Sequence, residues 1–391
     1  MIFRRLFIFF SLLGCCLQTD AQMYRYETGF TVSKQHFCDT LALNYVNHQL
    51  LLDVELGGKR CRALLDTGAA QGVTFVNRLP GDTKELGHVV VIDGNGRQDT
   101  IRVVQLPELK IGSLAINGYV AVVHQPLPVK EKYDLIIGFD LFNKGLSGKI
   151  DTANGRLILS DRSDVFAREE GFRQKYKLKW HVPYTIISPF KRHADETCFD
   201  TGFAGLYMMN KTSFDRHLYK SKQVAAQVEA LVQGQSMISL LGVEQIAEVA
   251  FMNLDRLRFG KFELRGVKAR TGSGSSKLGA ELLRYGSMVI LPQKKTLLFQ
   301  PYGGGLAVEA NNQIKQIAFI PVDNKPTVGL VNPESEQYKK GVRSGDVVVA
   351  INHQPVNTFR AFVNYPFVEG EKYLFTFFTA DGKRKDILLP R

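Results

Sequence analysis

Two short stretches of this chain each end an apolar run in a carboxylate. Residues 64–72 read LLDTGAAQG and residues 198–205 read CFDTGFAG. A carboxylate at the end of a core strand costs free energy unless it is paired or protonated. One Asp-Thr-Gly recurs by chance; two suggest that Asp66 and Asp200 face each other. Two carboxylates a few ångströms apart cannot easily both ionise, so they share a proton. One is then a base and the other an acid at the same pH. A water held between them can lose a proton as it attacks a peptide carbonyl. The protonated partner polarises that carbonyl, and the proton later passes to the leaving amine. Thr67 and Thr201 offer hydroxyls that can hydrogen-bond across an axis between the two loops. Gly68 and Gly202 permit a turn and a close approach of backbone, with N–H groups that can donate to a carboxylate.

The sequence around both triplets repeats, and this fixes the elements that must position them. Residues 92–112 (IDGNGRQDTIRVVQLPELKIG) lie beside residues 240–260 (LLGVEQIAEVAFMNLDRLRFG), with Gly94 18 residues before Gly112 and Gly242 18 before Gly260. Residues 136–145 (IIGFDLFNKG) lie beside residues 277–286 (KLGAELLRYG), matching Gly138 to Gly279 and Asp140 to Glu281. The order is the same twice: Asp-Thr-Gly, hairpin glycine, glycine before a short helix, final strand. The spacing from triplet to hairpin differs, 28 residues from Asp66 to Gly94 and 42 from Asp200 to Gly242, which loop insertions accommodate at small entropic cost.

Locally the pattern is mostly strand. Residues 50–66 alternate about Gly57-Gly58, a hairpin signal, and residues 183–200 repeat that hairpin. A second hairpin turns at residues 93–96. Short helices are expected over residues 139–143 and 280–285, and a longer one over 214–234. The hairpins carrying Gly94, Asn95, Gly96 and Gly242 are expected to be flaps: mobile covers that exclude water and offer main-chain groups to an extended substrate.

The chain has 391 residues, enough for two or three domains, and its 45% hydrophobic and 23% charged content is that of a globular protein. The net charge of +12 comes from scattered lysines and arginines with no long basic run, which argues against nucleic-acid binding. Residues 1–21 are expected to be a signal peptide, with Arg4 and Arg5 before a short apolar run. Cleavage after Ala21 competes with lipidation of Cys15 in the lipobox-like LLGC. Export from a bacterial cytoplasm follows, to the periplasm, the medium or the outer membrane as a lipoprotein. No other segment is apolar enough for a transmembrane helix. Cys38, Cys61 and Cys198 then remain, an odd number without metal-like spacing, read as buried small apolar side chains.

On LLDTGA, the glycine-tipped hairpin and LIIGFDLF, residues 30–302 resemble the pepsin and retropepsin superfamily of aspartic proteases. Two halves in one chain are pepsin-like; short lobes with a hairpin in each resemble a fused retropepsin dimer. The resemblance implies an aspartic-type endopeptidase with Asp66 and Asp200 as its pair, no metal and no cofactor. The sequence departs from the family in places. The acid and arginine that pair in retroviral members are Ala70 and Phe139 here, and Ala69 and Phe203 follow the triplets where pepsins carry Ser or Thr. No residue matches the pepsin flap tyrosine. Residues 326–356, above all GVRSGDVVVAINHQPV, resemble a PDZ domain of the bacterial protease type, with residues 316–321 (QIAFIP) as the nearest groove strand. Such domains can take peptide C-termini by adding a strand. The Gly-rich residues 301–313 read as a linker.

The expected architecture is mainly β: two pseudo-twofold-related acid-protease β-barrel lobes (30–165 and 170–302) and a C-terminal PDZ-like α+β domain (314–391). The expected partner is a protein or peptide substrate, and the expected state is a monomer. The alternative is a catalytically inactive peptide-binding or scaffold protein of the cell envelope.

Overall fold

The computed structural model describes residues 23–126, 133–218, 221–368 and 370–390. The expected signal peptide, with Cys15 and Ala21, lies outside them. The chain is mainly β, as its alternating pattern requires. Gln49–Leu56 and Lys59–Leu65 pair as a hairpin. Its turn is closed by Gly57 and Gly58 at φ 55° and 75°, a left-handed pair that glycine adopts without strain.

That hairpin delivers Asp66 to the middle of a sheet. Leu135–Ile137 lies parallel to Lys59–Leu65 and antiparallel to Gly72–Phe75. Gly72–Phe75 in turn runs parallel to Val120–His124. The second half repeats this order. Ser276–Gly279 lies parallel to Asp195–Asp200 and antiparallel to Tyr207–Asn210, which runs parallel to Phe262–Gly272. In each half a returning strand is thus inserted between the strand that ends in Asp and the strand that follows it.

Glycine makes that crossing feasible. A Cβ at Gly138 would lie 2.8 Å from the carbonyl oxygens of Ala69 and Gln71, and one at Gly279 would overlap the carbonyls of Phe203 and Gly205. Behind the crossings one apolar cluster runs through both halves, including Leu65, Ile137 and Phe139 from the first and Phe199, Leu278 and Phe299 from the second. Six antiparallel strands also join the halves: Phe172–Lys179, Thr296–Pro301, Gly286–Leu291, Ser147–Asp151, Arg156–Ser160 and Cys38–Ala42.

Three expectations need correction. The helix expected over residues 214–234 is two short helices, Lys211–Leu218 and Lys222–Ala225, followed by a strand, Val228–Gly234. That strand alternates half-buried and exposed side chains and pairs with Ala247–Phe259. Its period is two, and the cross-strand partner outweighs helix propensity. The Gly-rich residues 301–313 are not a free linker: Ala307–Glu309 pairs in parallel with Phe262–Gly272. Of the three cysteines only Cys198 is buried; Cys61 is half-buried and Cys38 exposed, and all are free thiols.

At the C-terminal end, Ile317–Val322 is the edge of a separate sheet, paired antiparallel with Lys325–Val331. The helix Phe359–Val363 packs over it, Phe362 lying 4.7 Å from Phe319 between ring centres. Among the described residues no helix is long and apolar enough to cross a membrane.

Candidate active site

The two triplets meet. Thr67 N–H donates to the Thr201 hydroxyl at 2.9 Å, and Thr201 N–H donates to the Thr67 hydroxyl at 3.0 Å. The hydroxyls then donate onward across the axis, Thr67 to Phe199 O at 2.6 Å and Thr201 to Leu65 O at 2.7 Å. All four bonds are buried, and each threonine uses its donor and its acceptor. Two loops from different halves are thereby fixed in register.

This clasp sets the carboxylates. Gly68 N–H donates to Asp66 Oδ1 at 2.8 Å, and Gly202 N–H donates to Asp200 Oδ1 at 3.0 Å. Gly202 N–H also reaches Asp66 Oδ1 at 3.1 Å, and Phe203 N–H reaches Asp200 Oδ1 at 3.1 Å. Neither Gly68 nor Gly202 has a left-handed φ. Both are glycine because the opposite carboxylate stands where a Cβ would be: at Gly68 it would overlap Asp200 and at Gly202 it would overlap Asp66.

The environment splits the pair. Burial pushes the Asp66 carboxyl up to about 7, and the charge of Asp200 adds to the rise. Burial pushes Asp200 the same way, but the Lys277 ammonium, joined by hydrogen bonds from Asp66 and Phe203 N–H, outweighs it and holds Asp200 below the usual carboxylate range. Lys277 Nζ lies 2.9 Å from Asp200 Oδ2, with its side chain only 12% exposed. Sequence reasoning assigned this lysine no role. The signal was available: in the repeat Lys277 aligns with Ile136, so that the second half has Lys before Leu-Gly where the first has Ile before Ile-Gly.

The hairpins expected to be flaps are joined at their tips, and the first reaches Lys277 beside Asp200. In the first, Lys84–Ile92 pairs with Gln98–Gln105. At its turn Gly96 has φ 77°, and the Asp93 carboxylate accepts the N–H groups of Asn95 and Arg97. In the second, Ile238–Ser239 pairs with Gly242–Val243, so that Leu240 and Leu241 form the tip and Gly242, at φ 107°, follows it. The Asp93 carboxylate also accepts from the Ser239 hydroxyl and from Leu241 N–H. Asn95 Nδ2 donates to Gly242 O at 3.3 Å, and Arg97 donates to Val243 O at 2.9 Å. Gly94 lies against Lys277, and a Cβ there would come within 2.8 Å of its Nζ.

Residues 52–141 match the family model described as aspartyl protease. That stretch carries Asp66, the first flap and Gly138, and it ends before Asp200. Among solved structures, an aspartic proteinase from Irpex lacteus is similar at 13% identity with a TM-score of 0.43, covering 68% of this chain and 98% of that one. No curated protein matches the chain.

Phe139, one of the positions that depart from the retroviral pattern, has a structural use here. Phe139 is fully buried, its ring 5.1 Å from Phe142 and 5.9 Å from Tyr176. Asp140, two residues after Gly138, is buried and accepts the Tyr119 hydroxyl at 2.9 Å. Tyr119 in turn accepts Gly138 N–H at 3.2 Å, so this acid braces the crossing from below.

Proposed function

We propose that the protein is an aspartic endopeptidase that hydrolyses peptide bonds with a water activated between Asp66 and Asp200. The observation that carries the reading is the reciprocal contact of the two triplets, each glycine standing against the other triplet's carboxylate. The repeated strand order and the aspartyl protease match over residues 52–141 support it.

The chemistry balances without a cofactor. The ionised carboxylate takes a proton from the water as its oxygen bonds to the peptide carbon. The protonated carboxylate gives its proton to the carbonyl oxygen, leaving a tetrahedral diol. The C–N bond then breaks as the nitrogen takes the proton that the first carboxylate had gained and a diol hydroxyl returns a proton to the other carboxylate, so that a carboxylic acid and an amine leave and the pair is restored. Closed flaps keep bulk water from this sequence and strengthen every electrostatic contact inside.

The C-terminal module is proposed to dock substrate or regulate access through the groove beside Ile317–Val322, and the protein is proposed to act outside the cytoplasm. Cleavage of a peptide library by wild type, Asp66→Asn and Asp200→Asn tests the reading. Loss of cleavage in both variants, and competition by a statine-type inhibitor, are expected. Cleavage that survives either substitution refutes the pair, and silence in all three proteins favours a peptide-binding role.

A further inference from the structure

The two halves carry corresponding cross-strand rows of side chains, and the rows differ in charge. Residues paired across strands point to the same face of a sheet. In the first half Leu51, Leu64, Ile136, Val73, Val122 and Val103 are paired in succession, and all are apolar. In the second half the same sequence of pairings runs Tyr184, Cys198, Lys277, Met208, Arg270 and Phe251. Lys277 stands where Ile136 stands, and Arg270 where Val122 stands.

This asymmetry bears on the carboxylates, because little else near them distinguishes the halves. Asp66 Oδ1 accepts two backbone N–H groups, from Gly68 and Gly202, and Asp200 Oδ1 accepts two, from Gly202 and Phe203. Equal donors would leave the shared proton without a preferred side. The Lys277 ammonium, at 2.9 Å from Asp200 Oδ2, breaks the tie.

We infer that Lys277 is a positioning residue whose ammonium holds Asp200 as the ionised member of the pair, so that Asp66 carries the shared proton. The inference deepens the proposed hydrolysis by assigning base and acid to specific carboxylates. Burial works against the ammonium and the charge of Asp200 outweighs it, so the lysine stays protonated. The groups that face it are Asp66 and Asp200, then Cys198 on the strand that ends in Asp200 and Tyr184 on the next. Asp93 and Arg97 belong to the flap above, and Arg270 and Glu244 to the far side of the row. Asp93 and Arg97 are engaged by the second flap. Glu244 accepts from Ser236 and Ser273. Tyr184 bonds Ser275 at 2.9 Å. None of these takes the lysine from Asp200.

The test is a carboxyl-carbon NMR titration of the full chain labelled at aspartate. Asp66→Asn and Asp200→Asn serve only to assign the two signals. In wild type the Asp200 signal is expected to ionise first, with Asp66 protonated until near neutral pH. In Lys277→Met both ionisations are expected to move up by about one pH unit or more, a tenfold change in proton affinity. Lys277→Arg is expected to keep both ionisations near their wild-type positions. Where cleavage is seen, both limbs of its pH profile should move with the titration, which a purely structural lysine would not cause. Asp66 ionising first, or titrations unmoved in Lys277→Met, overturns the assignment. If Lys277→Met does not fold, Lys277→Gln is titrated in its place, and ionisations unmoved there overturn the assignment equally. A normal titration without any cleavage sinks the hydrolase reading and leaves this one standing.

Discussion

At the scale of single residues the site is a set of close approaches, and its sensitivity follows from them. Gly68→Ala and Gly202→Ala each place a methyl group on the opposite carboxylate. We expect each to lower kcat/KM by about a hundredfold or more and to cost about 1–3 kcal/mol of stability as the loops part, measured by peptide hydrolysis and urea unfolding. Thr67→Val keeps shape but leaves Thr201 N–H without its acceptor, at a cost of about 1–3 kcal/mol. Thr201→Val should do the same, and the double variant should lose less than the sum because one network is involved. The pH profile follows from the split pair. Asp66, raised to about 7, is protonated below that value, so activity should fall as pH rises through about 7. Asp200, held below the usual range, stays ionised in mild acid, so the acid limb should lie below that of an ordinary aspartate. The Asp-Thr-Gly pair was legible in the sequence because a carboxylate at the end of an apolar run conflicts with its surroundings. Lys277 was equally visible opposite Ile136. Its meaning was not, because only the fold shows that its side chain reaches Asp200.

At the scale of elements the two hairpin tips are bonded into one unit. Leu240 and Leu241, the second tip, pack against the apolar row of the first half that holds Ile136 and Val73. Asp93 of the first tip accepts from the second. The closed cover therefore places the protein's own leucines against an apolar surface that an extended substrate would also meet. Leu241→Ser removes apolar contact while leaving the N–H bond to Asp93. Asp93→Ala removes that bond and the turn it caps. Both should speed amide exchange over residues 237–243, and Asp93→Ala should also do so over residues 93–97. KM should rise several-fold, with kcat less affected, if closure chiefly holds the substrate. Protection equal to wild type in Asp93→Ala would show that the tips do not depend on this link. The first hairpin was readable from Gly94 to Gly96 between two alternating runs. The second was only half readable. Its two strands of two residues are too short for a periodic signal, and Val228–Gly234 sat within a polar stretch that also suited a helix.

At the scale of the whole molecule, the second flap stands between the cleft and the C-terminal module. Its approach strand, Val228–Gly234, lies against Lys325–Val331 of that module. Gln235 N–H donates to Gly329 O at 2.9 Å, and Asn332 Nδ2 donates to Glu229 at 3.0 Å. Val249 and Phe251 share an apolar cluster with Ala318 and Leu330, and Ile238 packs against the core of the module. Beside this seam a cleft of about 580 Å³ is lined by Gln235, Ile246, Val322, Lys325 and Gly345, among others. The seam is tight enough to transmit motion: a Cβ on Gly329 would meet Gln235 O at 2.5 Å, and one on Gly234 would meet Gly329 O at 2.5 Å. Gly329→Val should therefore push the module from the flap without touching either carboxylate. If the module steadies the flap, amide exchange over residues 234–243 should rise and cleavage of short peptides should fall by about threefold to tenfold, with the pH profile unchanged because Asp66, Asp200 and Lys277 keep their surroundings. If the module only recruits substrate, short peptides should be cut at the wild-type rate while a protein substrate is cut more slowly. The same variant thus separates a mechanical role for the module from a docking role, and the flap exchange data decide between them.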